Sequence, residues 1–187
     1  MGLEENKKMN NRNIVFIATS LDGYIADKNG GLDWLNSIPN PDLIDMGYEK
    51  FNESIDAIVM GRTTFETVLN FDIDWPYTKP VFVLSRTLEA IPEKYDEKAE
   101  LVKGSLTNIL LEINSRGYTR LYIDGGATIQ SFLKEDLIDE LIITTIPILL
   151  GGGAKLFSEL PKELKFKHSN SSLFLDEIVQ NHYERKR

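Results

Sequence analysis

The chain holds no cysteine among its 187 residues, so a disulfide scaffold, a thiolate nucleophile and a cysteine-ligated zinc site are excluded together. Histidine is nearly as scarce. His168 and His182 are the whole supply, and both fall in the polar C-terminal stretch without metal-ligand spacing, which leaves metal catalysis unsupported. No apolar run approaches the ~20 residues that a bilayer crossing requires. Cations are outnumbered, with 21 Lys and Arg against 29 Asp and Glu and a formal charge of -8, so a nucleic-acid backbone would be repelled over most of the surface. A small anion is not excluded by this, because clustered backbone N–H groups and one arginine override the global field at short range.

Familiar nucleotide motifs are missing too. The nearest approach to G-x-G-x-x-G is GGGAKL, Gly151 to Leu156, which has leucine where the third glycine belongs. A G-x-x-x-x-G-K-[ST] loop does not occur. The opening MGLEENKKMNNR lacks the apolar core of a signal peptide, and Asn6 stands where myristoylation requires Ser or Thr. Residues 1–12 are expected to form a disordered polar tail, and residues 13–187 a single cytoplasmic domain without repeats or linkers.

What is present is an alternation. NIVFIAT (13–19), DAIVM (56–60), PVFVLS (80–85) and RLYID (120–124) read as buried strands, with helix candidates at 41–54, 62–69, 105–116 and 126–135. Short apolar strands separated by helices predict an α/β domain with a mostly parallel sheet covered on both faces. DELIITTIPILL then reads as a long strand, and KFKHSNSS and EIVQNHYER show polar alternation with no helix between them. This predicts antiparallel strands added at one edge.

Three of the strands end in residues suited to an anion. After DAIVM come Gly61, Arg62, Thr63 and Thr64, opening a helix; after VFVL come Ser85 and Arg86; after RLYI come Asp124, Gly125, Gly126, Ala127 and Thr128, opening another. Glycine admits a ligand close to the backbone, the first-turn N–H groups of a helix are unpaired, and the cations and hydroxyls add charge and donors. Any one junction alone is weak, since a glycine between strand and helix usually just makes the turn. In an open α/β sheet, however, ligands settle at the carboxyl ends of strands, which places all three on one rim.

VMGRTTFE, Ile123-Asp124-Gly125-Gly126 and FVLSR resemble the phosphate-binding segments of dihydrofolate reductases. FIATSLDGYIA and DELIITTIPILLGGGAKLF are similar to the reductase domain of bifunctional riboflavin biosynthesis proteins, which shares that fold. The resemblance spans about residues 13 to 158 and implies a three-layer dihydrofolate reductase-like fold, a homodimer, and NADPH as cofactor. It places the main chain of Ala18 at the nicotinamide, residues 61–64 and Gly125 to Ile129 at the phosphates, and Leu84, Ser85 and Arg86 at the adenosine end. It further implies a small heterocyclic substrate contacted by Trp34 and Asp124, with Asp22 either beside it or shaping the SLDG turn. Asp45 is the expected proton-donating acid, on the helix before the VMGR strand, with a pKa raised by desolvation beside Trp34.

The sequence also departs from the riboflavin-type pattern. Asn52 stands where those domains carry an arginine that grips the ribose phosphate, FETVLNFDIDWP replaces their D-D-P-x-L-x-x-R, and the H-x-E and P-C-x-x-C zinc motif of the deaminase partner is absent. The expectation is a stand-alone NADPH-dependent reductase acting on a phosphoribosylaminopyrimidine or a related heterocycle. The alternatives are a dihydrofolate reductase and a non-catalytic NADPH-binding protein.

Overall fold

The computed structural model describes residues 11–71 and 73–187. Most of the expected N-terminal tail lies outside the described residues, and the first strand, β1 (Arg12–Ser20), already claims the last residue assigned to it. Next in order come β2 (Tyr24–Ala26), α1 (Tyr48–Ser54), β3 (Ala57–Gly61), α2 (Arg62–Leu69), β4 (Val81–Leu84), β5 (Ala99–Val102) and α3 (Leu106–Ser115). The chain continues through β6 (Arg120–Asp124), α4 (Gly126–Lys134), β7 (Glu140–Ile146), β8 (Ala154–Lys155), β9 (Phe166–Phe174) and β10 (Ile178–Arg185).

Eight strands form one sheet in the order β5-β4-β3-β6-β1-β7-β10-β9. The six on the β5 side run parallel, and β10 and β9 add antiparallel at the edge, as the polar alternation of the C-terminal sequence predicts. Alternate residues of each strand point to opposite faces, and the core divides accordingly. Ala57, Val59, Leu121 and Ile123 pack against Ile109 and Ile113 of α3 and Ile129 and Phe132 of α4. Ile58, Met60 and Tyr122 pack on the other face against Phe51 of α1 and Phe65 of α2. This is the α/β three-layer arrangement the alternation implied.

Two expected elements are shorter than predicted. The helix expected over 41–54 begins only at Tyr48, because Gly47 sits at φ 86 and the preceding turn is held by the side chain of Asp45. The strand expected across DELIITTIPILL stops at Ile146, since Pro147 cannot donate to a ladder. The GGG run that follows packs against Ala26, Asp27 and Lys28, where the small β2–β8 sheet holds it. Gly151 and Leu150 donate to the Asp22 carboxylate at 2.8 and 3.1 Å, and Ser20 Oγ donates to it at 2.6 Å.

Candidate active site

The three glycine- and hydroxyl-bearing junctions meet. β4, β3 and β6 are adjacent and parallel, with Gly61 level with Leu84 and Met60 level with Asp124, so all three chains leave the sheet on one rim. Gly61 and Gly125 are where the helices interlock. A methyl group on Gly61 would stand 2.7 Å from Thr128 Oγ1, and one on Gly125 would fall on Thr64 Oγ1. Neither α2 nor α4 has a side-chain cap on its first-turn amides, so two helix N-termini with free donors lie side by side.

Around them, Arg62, Thr63, Arg86 and Ala127 are exposed, and Thr64, Ser85, Gly125 and Gly126 half-buried. Arg62 reaches along the rim to Thr87 Oγ1 (3.0 Å) and pairs with Glu66 one turn on (2.6 Å). At this exposure such an ion pair holds weakly and yields readily to a better anion. Ser85 Oγ accepts from the N–H groups of Thr87 and Leu88, fixing the turn after β4. Two expected contributors are already committed. Ile129 is fully buried and its N–H bonds Gly125 O, so it belongs to the core of α4 rather than to a ligand surface; Thr128 is buried against Gly61.

A second feature lies next to the rim. β1 pairs with β7 over residues 14–20 but with β6 only over 12–14. Backbone groups of successive strand residues leave by alternate edges. Arg12 N–H donates towards β6 and Asn13 O accepts from the β7 side, so even-numbered residues face β6. By that parity the N–H and C=O of Ala18 face β6 where the ladder has ended. Phe16 O, one step earlier, accepts instead from Tyr122 Oη at 3.0 Å. A slot thus opens between β1 and β6 at the carboxyl end of the sheet, with the unpaired main chain of Ala18 on its edge, the kind of crevice where open α/β sheets take ligands.

The acids sort differently from the sequence expectation. Asp45 is exposed, and N–H groups of Glu49 and Gly47 hold its carboxylate at 2.8 and 2.9 Å, driving its pKa down rather than up. It is the turn-forming acid that launches α1, the reverse of a poised proton donor. Asp124, at the end of β6, is the desolvated one: burial pushes its carboxyl up, against the opposing donation from Gly125 N–H at 2.8 Å. Desolvation and the Asp124 charge together raise the hydroxyls of Tyr48, Tyr77 and Tyr122. Phe16 opens the FIATSLDGYIA segment without a role of its own there, and Tyr48 and Tyr77 belong to no motif; the aromatic density of YEKF and WPY is the sequence signal for those two.

Asp22 has three donors on its carboxylate, a turn-fixing role. Trp34 is buried against Ile146 and Ile178, and its indole N–H has no partner among the described residues. Asn52 donates to Thr78 Oγ1 at 3.2 Å.

Residues 13–179 match the family described as the RibD C-terminal domain. The chain belongs to that family. A putative riboflavin biosynthesis protein of known structure from Shewanella sp. PV-4 is 58% identical, with a TM-score of 0.92 over 94% of this chain and 99% of that one. The diaminohydroxyphosphoribosylaminopyrimidine deaminase/5-amino-6-(5-phosphoribosylamino)uracil reductase of Thermotoga maritima superposes with a TM-score of 0.74 at 18% identity, over 96% of this chain and 58% of its own. Enterococcus faecalis dihydrofolate reductase, solved with NADP(H), gives 0.66 at 17% identity over 94% and 97% of the two chains. The last two establish the fold, which is dihydrofolate reductase-like.

Proposed function

We propose that this RibD C-terminal domain protein is an NADPH-dependent reductase that transfers hydride to a pyrimidine or related heterocycle. One observation carries the reading: the two uncapped helix N-termini of α2 and α4 interlock on the rim beside the slot where Ala18, paired with β7, has no partner on β6. The rim suits the linked phosphates of a dinucleotide and the slot suits a flat amide-bearing ring. NADP(H) in the dihydrofolate reductase neighbour and the reductase activity in the name of the Thermotoga protein support the same assignment.

The residues present fit that cofactor. First-turn amides of α2 and α4 and the hydroxyls of Thr63 and Thr64 would hold its phosphates, and Arg62 and Arg86 favour a 2′-phosphate over the bare ribose that a carboxylate would select. The main chain of Ala18 would orient the ring amide. When bound, the cofactor supplies the hydride. Asp124, whose carboxyl pKa desolvation pushes up, stands at the end of β6 beside the slot and is the acid this geometry favours. The same reading takes the chain as a cytoplasmic homodimer.

Titration of the intrinsic tryptophan fluorescence with NADPH and with NADH tests the proposal. NADPH is expected to bind at least tenfold more tightly. Equal affinities, or no binding of either, would refute it. A protein that binds NADPH but oxidises it with neither dihydrofolate nor a phosphoribosylaminopyrimidine would belong to the non-catalytic alternative.

A further inference from the structure

Across the slot from the phosphate rim, the wall is built of rings. Phe16 of β1 stacks on Phe51 of α1 with centroids 4.7 Å apart and planes inclined by 22°, and Tyr48 meets Phe16 edge-on at 5.7 Å. Tyr122 stands edge-on to Phe51 at 5.1 Å, and Tyr77, braced by Trp75 at 5.3 Å, comes from the segment before β4. Phe16, Tyr48 and Tyr77 are all half-buried, none of them sealed in the core. Asp124 stands among them, close enough that its charge acts on all three tyrosines.

No cation answers that carboxyl. Asp124 forms no ion pair among the described residues, and neither lysine nor arginine contributes to the forces on it or on the three tyrosines. Arg62, the rim cation nearest in sequence to this end of the sheet, is turned towards Glu66 and Thr87. A phosphate brought to the ring wall would therefore give up its water beside a carboxyl group with nothing of opposite charge to replace it. A flat uncharged ring loses little on desolvation, stacks on the half-buried rings, and uses Asp124 as its polar partner.

We infer that the second substrate of the reductase is an uncharged planar heterocycle carrying no phosphate, seated against Phe16, Tyr48 and Tyr77 and hydrogen-bonded to Asp124. This rests on the reductase reading for its chemistry, while the ring wall exists whether or not a cofactor is bound.

The test compares two probes that differ only by the ester: a 6-ribitylaminopyrimidinedione and its 5′-phosphate. Each is titrated into the protein by calorimetry, with and without saturating NADPH. The unphosphorylated compound is expected to bind at least tenfold more tightly under both conditions. Tyr77→Leu should weaken it about fivefold or more, and Asp124→Ala should weaken it likewise by removing the polar partner of the ring. The phosphate ester binding as well or better, or neither probe binding, would overturn the inference. Discrimination that persists where NADPH fails to bind would uphold the ring site and sink only the reductase reading.

Discussion

Replacing Gly125 by alanine strikes the point where the two helix starts interlock. Gly125 holds φ 89 and ψ 134, a region that costs a residue with a Cβ about 1–3 kcal/mol. The added methyl would also land on Thr64 Oγ1. Thr64 can relieve that overlap by changing its side-chain rotamer, at about 1 kcal/mol, but the backbone strain has no such escape. A total loss of about 2–4 kcal/mol follows, roughly 5–15 °C in Tm for a domain of this size. Gly117 is the control. It has φ 92 and no atom within 4 Å of its would-be methyl, so Gly117→Ala pays the strain alone. Urea unfolding at constant slope gives the four stabilities of a cycle with Thr64→Ala, and that second substitution is expected to recover about 1 kcal/mol in the Gly125→Ala background only. NADPH affinity should fall at least tenfold for Gly125→Ala and stay unchanged for Gly117→Ala. Equal losses in the two glycine variants, or no recovery from Thr64→Ala, would refute the interlocking of α2 and α4.

Other outcomes follow from the same geometry. Arg62→Ala is expected to weaken NADPH by about 1–3 kcal/mol, the scale of a charge-assisted contact, and NADH by less; parallel losses would return Arg62 to its surface pairing with Glu66. Asp45→Ala should lower stability through the turn that starts α1, read as an earlier urea midpoint, while leaving the pH profile of NADPH oxidation in place; a displaced profile would restore Asp45 as the acid. Asp136 is held at about 2 by a two-pronged contact with the guanidinium of Arg185 at 2.7 and 2.9 Å. Its folded pKa lies below the unfolded value, so its contribution is complete above the ordinary carboxylate range and lost as the pH falls through about 2. Asp136→Asn should accordingly cost about 2–3 kcal/mol near neutrality, a deficit that shrinks on acidification; a deficit independent of pH would refute the ion-pair account.

The junctions at Gly61 and Gly125 were legible in the sequence because their cause is local: a buried apolar run, a glycine, then a helical period. The two-sided core was legible for the same reason, through the alternation of Ala57, Ile58, Val59 and Met60. The strand β5 escaped notice because AELV is four residues with an exposed glutamate on the sheet's edge. The slot beside Ala18 escaped because it is a property of register between strands more than a hundred residues apart. Choosing between Asp45 and Asp124 was equally beyond local reading. Both are aspartates near a helix start, and what separates them is which one the folded chain removes from water, a tertiary quantity that sequence spacing does not carry.

The early end of the β1–β6 ladder has a mechanical consequence. Among the described residues, two half-sheets, β5-β4-β3-β6 and β1-β7-β10-β9, are joined along their common seam by the register of Arg12, Asn13 and Ile14, with the Tyr122 hydroxyl as a clasp above them. A flat molecule entering that seam would supply the missing rungs, so occupancy should register as slowed amide exchange on both banks, and the guest would act as a temporary strand of the protein it visits.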